Sequence, residues 1–223
     1  MKKILILIVS VALAFTILSG CANQKPNEDD IKEKVEERES SDETEEKENT
    51  SKENKSPKDI IGERSYEAIK ALKNKDMKTL SEIVHPTKGV RFTPYTYVNV
   101  ERDLVFDREK IANFFNDENV YMWGYFDGTG DDIKFNPSQY YERFIYSKDF
   151  INAEKVGYNE VLSFGNMLEN QFEVYDNPIV VEYYFSGFNP EYGGMDWRSL
   201  RLVFEEHEGK WYLVGIINNE WTT

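Results

Sequence analysis

Apolar side chains are distributed unevenly along the 223 residues, and their distribution divides the chain into three parts. A run of fifteen apolar or small residues, 4–18, follows two lysines. Residues 22–57 then contain three aliphatic side chains and no aromatic ring, whereas 58–223 hold 31 of the 32 aromatic residues. The pattern therefore predicts an apolar leader, a polar linker and one folded domain with its own core.

Helix signals dominate the first part of the folded domain. Ser56, Pro57 and Asp59 form a capping-box pattern with proline at the first helical position. Apolar residues then recur at helical spacing through Leu72. Shorter helices are predicted where other capping residues precede apolar pairs, at Asp76, Asp107 and Asn136.

The last fifty residues alternate as strands do. The alternation predicts that Arg198 shares a face with Leu200 and Leu202, and that Val214 shares a face with Ile216. Helices first and strands last predict an α+β fold, with N-terminal helices packed on a curved antiparallel sheet. Residues 145–175 fit no element of this plan and remain an unplaced insertion.

The first twenty residues have the layout of a secretory signal peptide, because a basic start, an apolar stretch and small residues follow in order. A membrane span needs roughly 20 apolar residues, so an uncleaved anchor helix is the weaker alternative. Leu18-Ser19-Gly20-Cys21 resembles the lipobox of bacterial lipoproteins, which implies a diacylglyceryl group on the Cys21 thiol and cleavage before it. The alternative is a stray free thiol. As Cys21 is the only cysteine, the domain has no disulfide.

Residues 21–57 are expected to be a disordered acidic linker. Positions 22–57 hold thirteen acidic and seven basic residues. Such a segment buries too little apolar surface to offset the entropy of ordering, and Ile31 with Val35 alone make no useful helical stripe. A flexible chain of this length spans roughly 30–36 Å. The linker is therefore interpreted as a tether between a lipid anchor and the single domain, 58–223.

Two resemblances follow from longer motifs. The stretches "AIKALKNKDMKTLSEIVHP" and "LRLVFEEHEGKWYLVGI" resemble the nuclear-transport-factor-2-like superfamily, which includes ketosteroid isomerases and polyketide cyclases. That resemblance implies a cone whose sheet curls around a pocket. The stretches "YYERFIYSKDF" and "GMDWRSLRLVFE" resemble uncharacterised lipoproteins of Gram-positive bacteria, a group that carries no known reaction.

Four residues are candidates for ligand binding, each with a structural alternative. Arg198 is expected at the open end of its strand, where it binds an anion or pairs with a carboxylate such as Asp196. Trp123 and Tyr125 share a parity and line the pocket or belong to the core. Trp197, on a turn-rich loop, joins a recognition patch or folds onto the core.

Catalytic and metal signals are weak. The chain has two histidines and shows no plausible Ser-His-Asp set, so we predict no catalytic residue and no cofactor. Asp127, Asp131 and Asp132 lie in "DGTGDD" and resemble a calcium loop, but the twelfth position is Ser138 rather than glutamate, which favours an acidic turn and no metal site. A net charge of −10 over 58–223 opposes nucleic-acid binding.

The sequence favours a lipid-anchored protein on the extracytoplasmic face of the cell membrane. Its domain is expected to be a non-catalytic module that binds a small ligand or an envelope protein. The alternative is an enzyme of the ketosteroid isomerase or cyclase type with a pocket carboxylate as base. A third hypothesis is that the protein is a purely structural module of the cell envelope.

Replacement of Cys21 by serine is expected to release the protein from the membrane, because two acyl chains anchor a protein stably and none can be added to serine. Incorporation of radiolabelled palmitate and phase partitioning in the native host measure the effect. Wild-type protein that takes up no palmitate and stays in the aqueous phase would contradict the lipid anchor.

Overall fold

The computed structural model describes residues 55–222, so Cys21, the leader and most of the linker lie outside the described residues. Its first two helices are α1 (Pro57–Lys73) and α2 (Met77–Ile83). At the start of α1, the Asp59 N–H donates to the Ser56 hydroxyl and the Ser56 N–H donates to the Asp59 carboxylate. This capping box is the one that the sequence predicts.

Apart from the last three strands, the remaining elements are short. Before residue 146 they are β1 (Val90–Thr93), β2 (Leu104–Phe106), α3 (Arg108–Ala112), a 3₁₀ turn (Phe114–Asn116), β3 (Tyr121–Tyr125), β4 (Asp132–Phe135) and α4 (Pro137–Tyr140), which continues as a π turn (Tyr141–Ile145). After it they are a 3₁₀ turn (Phe150–Asn152), β5 (Lys155–Tyr158), α5 (Gln171–Val174), β6 (Ile179–Phe185), a 3₁₀ turn (Pro190–Tyr192), β7 (Arg198–His207) and β8 (Lys210–Glu220). No helix within 55–222 is long and apolar enough to cross a membrane.

Six strands form one sheet in the order β2-β1-β8-β7-β6-β5, and β3 pairs with β4 in a separate hairpin. Neighbouring strands of the sheet are antiparallel with one exception, because β1 runs parallel to β8. The α+β expectation is confirmed, and the sheet is mixed rather than wholly antiparallel. β1 and β8 are far apart in the chain, so no hairpin joins them and their pairing can be parallel.

The two faces of the sheet are covered differently. The inner face meets α1 and α2 through Leu200, Leu202 and Ile216, which belong to the main apolar cluster. On the outer face a smaller cluster contains Val203 and Val214. Both faces of the central strands are therefore covered, which explains why nearly every residue along β7 and β8 is buried.

A register shift explains why Val214 and Ile216 lie on opposite faces, contrary to the alternation. Val203 pairs with Gly215 but Phe204 pairs with Leu213, so Val214 is an extra residue in β8. Such a bulge reverses the alternation beyond it. The predicted common face of Val214 and Ile216 is therefore wrong.

The segment 145–175, which the sequence left unplaced, has two parts: its first half contains β5 of the sheet, and its second half, 159–175, covers the outer face. The backbone N–H groups of Leu162 and Ser163 donate to the Glu182 carboxylate, at 2.8 and 3.2 Å. The side-chain amide of Asn170 exchanges two hydrogen bonds with the backbone of Val98, at 2.8 and 2.9 Å. Residues 159–175 are thus attached across the sheet by polar contacts, and we call them the covering segment.

A fully buried arginine joins the covering segment to the sheet. Arg201 pairs with Glu169 of the segment through both terminal nitrogens, and its Nη2 lies 3.1 Å from the Ser163 hydroxyl. On the sheet side, Arg201 Nε lies 3.3 Å from Glu182 Oε2, without the alignment of a hydrogen bond. Ser199 donates a further hydrogen bond of 2.5 Å to Glu182. The charges on this face are therefore paired rather than isolated, as burial demands.

Replacement of Arg201 by methionine is expected to lower the free energy of unfolding by about 3–5 kcal/mol, because Glu182 is left buried without its cation. A second Glu182→Gln substitution should restore part of the loss. Urea unfolding of the purified chain measures both, with the exposed Arg102→Met as the matched control. A loss at Arg201 no larger than at Arg102 would contradict the account.

Candidate functional site

The space between the helices and the inner face is filled by the protein's own aromatic rings. Trp123 stacks on Tyr140 with ring centroids 3.8 Å apart, and Phe92 meets Trp123 edge-on at 5.6 Å. The Trp123 indole N–H donates to the Phe135 carbonyl at 2.8 Å, which satisfies its polar atom. A gap beside Phe92 and Phe114 leaves no room for a water molecule. The described part of the chain therefore has no pocket of ligand size at this position.

The buried carboxylates of the described residues are paired with cations. Glu182, Glu205 and Glu220 are buried, and each lies within ion-pair distance of an arginine or a lysine. Burial, followed by the charge of Asp103, raises the pKa of Tyr140. Burial raises the pKa of Asp103 itself to about 6, although its carboxylate accepts hydrogen bonds from Thr93 and Asn99 at 2.6 and 3.0 Å.

A cluster of charges closes the open end of the sheet, where β6 ends at Phe185, β7 begins at Arg198 and β8 ends at Glu220. We call this end the rim. Arg143 donates to both oxygens of Glu220, at 2.9 and 2.6 Å, and Arg198 Nε lies 3.3 Å from the same carboxylate. Glu220 is 6% exposed, so its charge needs these partners. Two arginines on one glutamate leave one net positive charge.

An open cleft of about 430 Å³ lies beside this cluster. Its walls include Arg143 and Glu220 on one side and the turn from Asp127 to Asp131 on the other, with Trp221 at the edge. The Asp127 N–H donates to the Tyr95 hydroxyl at 3.2 Å, which fixes the turn against the cleft. The cleft thus brings opposite charges and an aromatic ring together at the protein surface.

The loop from β6 to β7 forms the other part of the rim, and we call residues 186–196 the rim loop. The Asp196 carboxylate accepts hydrogen bonds from the N–H groups of Phe188 and Asn189, at 3.1 and 2.8 Å. Gly187 has a φ of +154°, and an added Cβ there would lie 2.9 Å from Asp196 Oδ1, so only glycine fits. Internal bonds therefore hold the loop in shape.

Three large apolar side chains project from the rim loop. Phe188, Tyr192 and Met195 are 43%, 53% and 54% exposed. Lys148 Nζ lies 4.1 Å from the centroid of the Phe188 ring. Large apolar groups gathered on a constrained loop are typical of recognition surfaces.

The four candidate ligand residues occupy different surroundings. Arg198 reaches the rim and pairs with Glu220, not with Asp196. Trp197 is buried beside Gly165 and Tyr184, so it anchors the base of the loop.

Trp123 and Tyr125 do not share a face. Trp123 is fully buried whereas Tyr125 is 47% exposed, because a register shift between Met122 and Tyr125 interrupts the alternation. Gly124, at a φ of +139°, makes that irregularity in the strand. The four predicted residues are thus not brought together.

The acidic turn is divided between two roles. Asp127 and Asp131 line the open cleft of about 430 Å³ beside the rim, and Asp132 forms an ion pair with Lys134. Within residues 55–222 no three His, Cys, Asp or Glu side chains are placed to hold a metal ion.

The sequence interpretation missed Glu220 and Arg143. These residues are 77 positions apart, and their contact depends on the tertiary fold. One local signal was present, because Glu220 continues the parity of Ile216 and Asn218 on the inner face, where a charge requires a partner.

Comparison with known proteins identifies no family. No protein-family model and no curated protein matches the chain. Among solved structures, a designed NTF2-like protein with five substitutions is 13% identical, covers 71% of this chain and 96% of its own, and has a TM-score of 0.30. A protein described as a calcium/calmodulin dependent protein kinase II association domain from Xanthomonas campestris is 12% identical, covers 72% and 83%, and has a TM-score of 0.30. The fold description therefore rests on this chain's own helices and sheet.

Replacement of Asp103 by asparagine is expected to stabilise the protein at pH 7. Folding raises the pKa of the Asp103 carboxyl from 3.8 to about 6, so the folded state favours the protonated form. The stability that this proton contributes is fully present below pH 4 and is lost as the pH rises through 6. A neutral amide keeps the two accepted hydrogen bonds without the charge. The gain should be about 1–2 kcal/mol, less than the roughly 3 kcal/mol that the full pKa change represents, because water still reaches part of the group.

Urea unfolding between pH 4 and pH 8 measures this effect, and the variant should lose the wild-type decline in stability between pH 4 and 6. Glu101→Gln, an exposed change two residues away, is the matched control. An Asp103→Asn profile parallel to wild type would contradict the burial of the charge.

Proposed function

We propose that this protein is a lipid-anchored, extracytoplasmic binding module without catalytic activity, and that its rim binds a protein partner. The observation that carries the proposal is the filled interior. Trp123, Tyr140 and Phe92 occupy the space in which a pocket of this fold would hold a substrate. A partner must then be met at the surface.

The rim has the chemistry of a protein-binding surface. Phe188, Tyr192 and Met195 supply exposed apolar area, and aromatic residues and methionine are enriched at interfaces. The hydrogen bonds from the loop backbone to Asp196 order the loop before binding, which reduces the entropy lost on association. The adjacent charges of Arg198 and Glu220 supply a polar border.

The enzyme alternative has less support. Isomerases that abstract a proton beside a carbonyl use a carboxylate in an apolar cavity. The three buried carboxylates of residues 55–222, Glu182, Glu205 and Glu220, each lie within ion-pair distance of an arginine or a lysine.

A small ligand in the rim cleft is the second candidate. The cleft of about 430 Å³ falls within the size range of ligand sites, and Arg143 and Asp127 both line it. Arg143 already binds Glu220 through both terminal nitrogens, so a ligand would compete with an existing pair.

The membrane anchor is supported by the sequence of the leader and linker. The Cys21 lipobox supplies two acyl chains, and an acidic tether that spans roughly 30–36 Å would hold the domain away from an anionic bilayer. A domain held at that distance meets proteins of the envelope rather than lipid headgroups.

The double substitution Tyr192→Ala and Met195→Ser is expected to remove partner recovery after mild crosslinking on intact cells, because it deletes most of the exposed apolar area of the rim loop. Losses of tenfold or more in affinity are usual for central apolar anchors. The equally exposed Tyr66→Ala, on α1, is the control and should recover the same partner as wild type.

Circular dichroism and thermal unfolding show whether the variants keep the wild-type fold. Repeated failure of wild-type protein to recover any partner, or equal recovery by the rim variant and wild type, would contradict the proposal.

A further inference from the structure

The two histidines of the chain are far apart in the sequence, and their rings lie in contact at the end of β7 opposite the rim. His85 follows α2 in the turn to β1, and His207 is the last residue of β7. Their ring centroids are 4.8 Å apart, and Tyr212 of β8 meets the His85 ring edge-on at 5.8 Å. His85 is 3% exposed. We call His85 and His207 the histidine pair.

The His85 ring holds its own turn in shape. Its Nδ1 accepts hydrogen bonds from the backbone N–H groups of Thr87 and Lys88, at 3.2 and 3.0 Å. A ring nitrogen that accepts is unprotonated, so the neutral ring carries its proton on Nε2. A further proton on Nδ1 would face two N–H donors and break both bonds. The turn of residues 85–89 therefore requires neutral His85, and we call it the histidine turn.

Charges around the ring also oppose its protonation. Burial, followed by the charges of His207 and Lys88, lowers the pKa of His85. Glu205 opposes this shift, and Arg108 adds to it. Because folding lowers this pKa, the folded state favours the neutral ring. The stability that the neutral ring contributes is fully present above its ordinary pKa of 6.5 and is lost as the pH falls below that value.

The carboxylates near the pair compensate it only in part. The Glu205 carboxylate is ion-paired with Lys88 and accepts a hydrogen bond of 2.8 Å from the Asp176 N–H. Glu208 Oε1 lies 4.0 Å from His207 Nε2, but the Glu208 side chain is 86% exposed, so water screens its charge. Protonation of both rings would therefore place two positive charges side by side.

The histidine turn connects the helices to the sheet. The His85 N–H donates to the Leu213 carbonyl of β8 at 3.0 Å, and the Gly89 N–H donates to the His85 carbonyl at 3.2 Å. Val84, the residue before the turn, forms an isolated parallel bridge with Leu213. Loss of the two bonds to the ring would therefore loosen the junction between α2, β1 and β8.

We propose that the histidine pair is a pH switch: acidification protonates it, releases the histidine turn from β8 and loosens the junction of α2 with the sheet, while the rest of the domain stays folded. The two bonds to Nδ1 and the contact between the rings carry this proposal. The switch lies at the opposite end of β7 from the rim and does not depend on the function proposed there.

An NMR titration of the purified, ¹⁵N-labelled full chain between pH 8 and pH 5 tests the switch. At pH 8 the ring ¹⁵N shifts of His85 should show a bare Nδ1 and a proton on Nε2. The ring should titrate below its ordinary value of 6.5, and the amide signals of Thr87 and Lys88 should move with the same midpoint. His207→Gln should raise that midpoint, because it removes the neighbouring charge. Lys58→Gln, an exposed change on α1, is the control and should leave it unchanged.

Hydrogen exchange at pH 7.5 and pH 5, corrected for the intrinsic rates, measures the release. Protection of the amides at positions 85 and 89 should fall at least about tenfold at pH 5, because the turn loses two hydrogen bonds. Ile69, buried in α1, should keep its protection. His85→Asn is the matched variant: its side-chain oxygen accepts from the same N–H groups but does not titrate, so its turn should stay closed. Asp103 titrates in both proteins, so the comparison removes its contribution.

Several results would overturn the proposal. They are a proton on Nδ1 of His85 at pH 8, a His85 midpoint at or above 6.5, an unchanged midpoint in His207→Gln, unchanged protection of the turn at pH 5, and an equal loss of protection in His85→Asn or at Ile69. Circular dichroism shows whether each variant folds, and His207→Gln tests the pair alone if His85→Asn does not fold. No residue of the rim takes part, so failure leaves the partner-binding proposal standing.

Discussion

The hairpin of β7 and β8 must be buried on both faces, and the rest of the domain is arranged around that requirement. Toward the helices it presents Leu200 and Leu202, which aromatic rings cover. On the other side it presents Ser199 and Arg201, whose polar atoms are as buried as the leucines. An apolar layer would leave those atoms unsatisfied at a cost of several kcal/mol, so the outer cover has to be polar and correctly placed.

The inner cover consists of closely packed side chains. Trp123 and Tyr140 stack on each other, so side chains fill the space between the helices and the inner face. The exposed side chains of the rim lie where strands of the sheet end or begin. The rim loop leaves β6 and enters β7, so the position of its exposed side chains is fixed by the sheet although the loop itself is irregular.

Local signals located most of the elements, and tertiary contacts decided the rest. Caps such as Ser56 act within one turn, so sequence alone predicts where helices begin. Alternation predicted the face of Arg198, because successive side chains of a regular strand point to opposite faces. It failed for Val214 and between Trp123 and Tyr125, because an extra residue in a strand leaves no reliable mark in the sequence. The candidate sites were less predictable still: Arg143 meets Glu220 only after the chain has folded.

The ion pairs beneath the covering segment restrict how the chain can change in evolution. A descendant that shortened residues 159–175 would lose Glu169 and would open Arg201 and Glu182 to solvent or leave them without enough partners. Gain or loss of the segment should therefore coincide with charge changes in β6 and β7, as a single coupled event. Length polymorphism at this position would be rarer than at an ordinary surface loop, where insertions are tolerated freely.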